Sequence, residues 1–157
     1  MLVLPLCVLL GCSAQAQSSS ELLESCVPVP MQRVLTEQYT GLDQPLRLVI
    51  RNPEQWQSIW SEVMRDRYPI TTPPAVDFGQ SMVILAAMGI HNTGGHAISI
   101  EGVHRSGGRL FVTVRQVSPG PGCMTTQALT SPVDAVQVPK GDEAVTFIER
   151  QETQNCD

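Results

Sequence analysis

The chain has 157 residues, 42% hydrophobic and 16% charged, which suits one domain with a buried core and is too apolar for a disordered tail. A formal net charge of −5 and an aromatic content of 4% argue against nucleic acid, which needs a basic face or stacking platforms. No P-loop, dinucleotide-binding glycine fingerprint, zinc-protease motif or nucleophile elbow occurs.

Met1 to Gly11 is apolar apart from Cys7. It is too short to cross a bilayer, which takes about 20 residues, but it fits the hydrophobic stretch of a secretory signal. Leu9-Leu10-Gly11-Cys12 resembles the bacterial lipobox, which implies cleavage before Cys12 and lipidation of that residue. Residues 1–11 are then a signal peptide, 12–25 a polar flexible tether and 26–157 the folded domain. The alternative is cleavage after Ala14-Gln15-Ala16, releasing a soluble protein from Gln17. Both readings place the domain outside the cytoplasm, either anchored to a bacterial cell envelope by lipid or soluble in the periplasm or medium.

With lipid on Cys12, the cysteines Cys26, Cys123 and Cys156 allow one disulfide in three pairings. Cys123 with Cys156 is favoured because it ties the C-terminal tail to a long loop, whereas Cys26 with Cys156 would join the two ends of the domain. No C-x-x-C spacing points to zinc.

Along the domain, Met31 to Thr40 reads as a strand. So does Pro45 to Arg51, where Leu46, Leu48 and Ile50 alternate with Arg47, Val49 and Arg51. A helix follows: Asn52 caps, Pro53 suits the first position, and Gln55 stands where a capping-box partner belongs. Trp56, Ile59, Trp60, Val63 and Met64 form one apolar stripe, so both tryptophans read as core. Asp66 to Ala75, with three prolines, is irregular. Met82 to Met88 is continuously apolar, as in a strand buried on both faces. Ala97 to Val103, a turn at Ser106-Gly107-Gly108 and Arg109 to Val117 form a hairpin. After a long connection come Val133 to Val138 and Ala144 to Glu149, with Lys140 to Glu143 a solvated hairpin turn between them. The expected fold is mainly β (α+β): about seven mostly antiparallel strands in a sandwich-like arrangement, with one amphipathic helix packed on it.

Two loops stand out. The first is Gly89 to His96, whose paired glycines Gly94 and Gly95 permit positive φ and close approach of a partner chain. The second is Ser118 to Pro132, long and opened by Pro-Gly-Pro-Gly. His91 and His96 bracket the first loop and can approach each other. On an extended strand His96 and His104 share a face with Ile98 and Ile100, too far apart for one metal ion. No serine is placed on a strained turn beside a base. The expectation is a protein without catalytic residues, metal or cofactor.

Met88-Gly89, then Thr93-Gly94-Gly95-His96-Ala97-Ile98-Ser99-Ile100, Leu110-Phe111-Val112-Thr113-Val114, Ser118-Pro119-Gly120 and Leu129-Thr130-Ser131-Pro132 carry a likeness in content, order and spacing. From about Ser81 to Phe147 the chain resembles the C-terminal domain of the PrcB family. The family's named member is an exported accessory subunit that associates with and stabilises a surface protease complex. The resemblance implies a non-catalytic module of the cell envelope that stabilises or regulates an exported protein, such as a protease complex. Candidate partner-binding residues are His91, Asn92, Thr93, Gly94, Gly95, His96, Pro119, Gly120, Thr130 and Pro132. One departure is His96, where the family usually has Tyr. Asn92 to His96 is also similar to the Thr-Gly loop of chagasin-type inhibitors, although their Arg-Pro-Trp tripeptide is missing. That second likeness implies the alternative of a protease inhibitor acting through the Asn92–His96 loop.

Overall fold

In the computed structural model, which describes residues 26–156, eight strands and one helix follow each other along the chain. They are β1 (Val27–Pro28), β2 (Gln32–Glu37), β3 (Pro45–Ile50), α1 (Pro53–Val63), β4 (Ser81–Met88), β5 (Ala97–Ser106), β6 (Arg109–Pro119), β7 (Val133–Pro139) and β8 (Ala144–Gln154). The expected signal peptide, Cys12 and the expected tether lie outside the described residues. The strands form two four-stranded sheets, ordered β1-β5-β6-β8 and β2-β7-β4-β3. Every pairing is antiparallel except β6 with β8, which is parallel. The sandwich with one helix is therefore as expected, with one strand more than the sequence suggested.

The apolar run of β4 explains the layering. Met82, Ile84, Ala86 and Met88 point to one side and pack with Ile98, Ile100, Val103, Leu110, Val112 and Val114 of the facing sheet. Val83, Leu85 and Ala87 point to the other side, where α1 covers them with Trp56, Trp60 and Val63. Both faces of β4 are dry because one sheet lies between the other sheet and a helix. Each fully buried Val, Leu or Ile contributes roughly 1.5–3 kcal/mol, so this strand anchors both cores.

The start of α1 is set by Asn52, whose side chain accepts from the Gln55 amide at 2.8 Å. Gln55 reaches back to the Arg51 amide at 3.3 Å, one residue earlier than a capping box requires. Trp56 and Trp60 meet edge to face with ring centroids 5.6 Å apart. Their indole N–H groups donate to Pro74 O at 3.0 Å and Thr71 O at 2.6 Å. The irregular proline-rich segment thus supplies the acceptors that let two tryptophans be buried.

A carboxylate links the two sheets. Asp134 on β7 is wholly buried and accepts from Arg33 Nε (2.8 Å) and Nη2 (3.1 Å), Thr36 Oγ1 (2.7 Å) and the Ile100 amide (2.7 Å). Arg33 also donates to Ile100 O at 2.9 Å. The register of β5 against β6 shifts between Ile100 and Gly102. Beyond this bulge Val103 joins Ile98 and Ile100 in the core, and His104, opposite Phe111, turns away from it. The expected common face of His104 with Ile98 and Ile100 is corrected by that one extra residue.

Two boundaries also differ from expectation. β8 continues five residues past Glu149 because it stays paired with β6 to Pro119, while Arg150 and Glu152 pair with Glu101 on β5 and Arg115 on β6. Lys140 to Glu143 is not a hairpin turn: β7 and β8 belong to different sheets, and the segment crosses between them. Glu143 is half-buried and meets Arg105 Nε at 2.6 Å. Its own backbone amide and Arg105 hold its carboxyl below the usual carboxylate range.

Candidate functional site

Gly89, at φ 79°, ends β4 and turns the chain out of the sheet. A side chain there would meet the Pro45 and Asp43 backbone at 2.9–3.0 Å, so only glycine fits. His91 then forms an isolated antiparallel bridge with Thr130, with N···O distances of 2.7 and 2.9 Å. Thr130 Oγ1 donates to Thr93 O at 2.8 Å, and the Gly94 amide donates to Thr126 O at 3.0 Å. The two loops singled out from sequence are therefore bonded to each other along their length.

The paired glycines serve this apposition. A Cβ on Gly94 would sit 2.3 Å from Thr126 Oγ1. Gly95 has φ 86° and faces the Pro119 ring at 3.3 Å. The close approach expected for a partner chain at Gly94-Gly95 is instead taken by this chain's own second loop. At the far side the Gly120 amide donates to Gln154 O at 2.8 Å, and Cys123 is disulfide-bonded to Cys156. Cys26 is exposed and free. The second loop is thus tied to β8 at one end and to the first loop at the other.

His91 and His96 stack with ring centroids 3.9 Å apart and planes 15° from parallel. Thr93 Oγ1 lies 3.4 Å from His96 Nε2. His91 Nε2 and His96 Nδ1 are buried without a hydrogen-bond partner. Burial lowers the His96 pKa below the usual histidine value, and the adjacent His91 lowers it further. The packing accepts two flat rings face to face, and burial favours the neutral form of His96. Parallel stacking does not aim two ring nitrogens at one point. Among the described residues no group of three or more His, Cys, Asp or Glu could hold a metal ion.

Of the ten candidate contact residues, Asn92 and Gly95 are exposed, and His91, Thr93, His96 and Pro119 are partly so. Gly94, Gly120, Thr130 and Pro132 are buried and hold the loops in place. The outward-facing apolar side chains here are Ile90, Met124 and Leu129, which loop composition alone does not single out. Their signal is a large apolar residue flanked by loop residues, with no strand or helix period to bury it. No described helix is long and apolar enough to cross a membrane.

Residues 82–139 match the family model described as PrcB C-terminal. The matched segment runs from β4 to the end of β7 and contains both loops and the bonds between them. The likeness to chagasin-type inhibitors is not shown. No curated protein and no solved structure matches the chain.

Proposed function

We propose, from the PrcB C-terminal match over residues 82–139 and the loops it contains, that this chain is a non-catalytic module docking on an extracytoplasmic protease complex. The observation that carries the reading is the apposition of the two loops. Bonds between His91 and Thr130, Thr93 and Thr130, and Gly94 and Thr126 fix their backbone before any partner arrives. A surface fixed in advance loses little conformational entropy on binding. Asn92, Met124 and Leu129 then provide exposed side chains on a rigid support. The inhibitor alternative needs the Asn92–His96 loop to enter a cleft, yet the Thr93 carbonyl and Gly94 amide in it are already bonded to the second loop.

Export and lipidation at Cys12 complete the proposal. They are supported by the lipobox-like Leu9-Leu10-Gly11-Cys12 and by a disulfide of the kind that persists in oxidising compartments. The test is crosslinked capture of the full chain from its own cell-envelope fraction, with partners identified by mass spectrometry. A protease catalytic subunit is expected with the natural chain and is lost with Asn92→Arg or Met124→Asp, both at exposed positions. Recovery of no specific partner overturns the docking role. Fatty-acid labelling that persists in Cys12→Ser removes the anchor at that residue.

A further inference from the structure

A cleft of about 220 Å³ opens beside the C-terminal end of α1, where the 38–44 loop meets the ends of the two apposed loops. Tyr39, Ile90 and Leu129 stand around it with their side chains about half exposed, and Val63, Thr130 and Ser131 form its buried floor. Its walls are fixed by backbone bonds, Ile90 N to Asp43 O at 3.1 Å and Ser131 N to Gln38 O at 2.9 Å. Thr40 adds bonds to Ser131, its amide donating to Ser131 Oγ at 2.8 Å and its hydroxyl to Ser131 O at 2.9 Å. The space exceeds the roughly 150 Å³ void that holds a benzene ring but falls short of the roughly 300 Å³ at which drug-sized ligand sites begin. Its size suits one large apolar side chain rather than a cofactor.

The charge at the rim is unbalanced. Arg65 is the shared partner of Asp43 (2.9 Å), Glu62 (3.1 Å) and Asp66 (3.9 Å), so three carboxylates face one guanidinium. Arg67 also lines the cleft, but its guanidinium is paired with Glu37 at 2.5 Å, so around the rim four carboxylates stand against two guanidiniums. Asp43 and Asp66 line the cleft and are mostly solvent-accessible. An excess of carboxylate beside an apolar hole selects a cation next to an apolar group. The same excess, with a chain net charge of −5, disfavours a second copy of this chain.

We infer that this cleft receives a segment of the partner protein in which a leucine-sized or aromatic side chain is followed by Lys or Arg. The inference rests on the docking reading above and adds the chemistry of what is docked. It is tested by backbone-amide NMR of the isotopically labelled full chain, titrated with three blocked tetrapeptides whose central pairs are leucine–lysine, leucine–glutamate and glycine–lysine. The leucine–lysine peptide is expected to shift the amides of Tyr39, Ile90 and Leu129 and to bind about threefold tighter than leucine–glutamate. Asp66→Lys, at an exposed position, removes that preference, and Leu129→Ser weakens both leucine peptides by about fivefold. No response, perturbation elsewhere, equal affinity for the two leucine peptides, an equal response to glycine–lysine, or concentration-dependent self-association at this face would each overturn the inference. If the envelope capture still returns a protease subunit with Leu129→Ser while the peptides fail, the cleft is wrong and the docking role stands. Loss of the subunit from the natural chain would instead overturn the docking role itself.

Discussion

Replacing Asp134 by Ala removes the acceptor for four hydrogen bonds at once, from Arg33 twice, Thr36 and the Ile100 amide. The losses are unequal. The Arg33 side chain is 47% exposed and can turn to water, and Thr36 is also exposed. Ile100 is fully buried, so its amide is stranded. A stranded buried donor costs about 1–3 kcal/mol. Breaking a fully buried ion pair costs about 3–5 kcal/mol, an upper range here because Arg33 is rehydrated. The expected destabilisation is therefore about 3 kcal/mol, which lowers the melting temperature of a chain this size by roughly 6–12 °C. Urea unfolding followed by circular dichroism measures it directly, with the slope against denaturant unchanged. Asp134→Asn keeps one carbonyl oxygen for the Ile100 amide and should lose clearly less. A loss below about 1 kcal/mol in Asp134→Ala, or equal losses in both variants, would refute the argument that the Ile100 amide carries much of the cost.

The paired glycines are expected to differ. Gly94→Ala meets a rotatable threonine hydroxyl and is rescued by Thr126→Ala, whereas Gly95→Ala meets the rigid Pro119 ring at positive φ and loses about 2 kcal/mol that Thr126→Ala does not restore; thermal melts of the four variants decide. His96 has a folded pKa depressed by burial, so its contribution is fully present above the unfolded value of about 6.5 and is lost as pH falls through the folded one. Melting temperature should fall between pH 7 and 5 in the natural chain and fall less in His96→Phe, which keeps a flat ring; parallel curves would contradict the assignment. Removing the disulfide in Cys123→Ser/Cys156→Ser opens a cross-link spanning 33 residues and should cost about 3–4 kcal/mol by chain entropy. The natural chain under reductant should melt with the double variant, and a gap between them would mean that serine itself disturbs the loop.

How far the fold could be read from sequence depended on whether local pattern or distant pairing decided each element. Asn52, Pro53 and the Trp56–Met64 stripe carry their instructions within a few residues, and α1 starts where they say. The unbroken apolar run of β4 likewise announces two buried faces. β8 does not announce itself: its second half, Glu149 to Gln154, is polar and becomes strand because it lies along β6 and exchanges charges with Arg115 and Glu101. The bulge at Ile100 is equally silent, since its stabilising acceptor, Asp134, stands 34 residues away. Glycine and proline content singled out the two loops that the structure brings together. It did not reveal that they bond to each other, and that contact is what buries Gly94 and Thr130.

The order of strands has a consequence for how the chain comes to exist as a folded object. One sheet takes strands from positions one, five, six and eight, and the other takes two, seven, four and three. In neither sheet do the strands come from one uninterrupted run of the chain. Residues 82–139 cut out alone would leave Val83 and Leu85 without Trp56 and Trp60, and β6 without β8. The segment that carries the family likeness is therefore expected to need the rest of the chain to complete its core. One sheet is incomplete until β7 has arrived and the other until β8, and distant partners of this kind make for slow assembly. The protein should gain its structure late and all at once, with β8 covering the edge of β6 that would otherwise stay open.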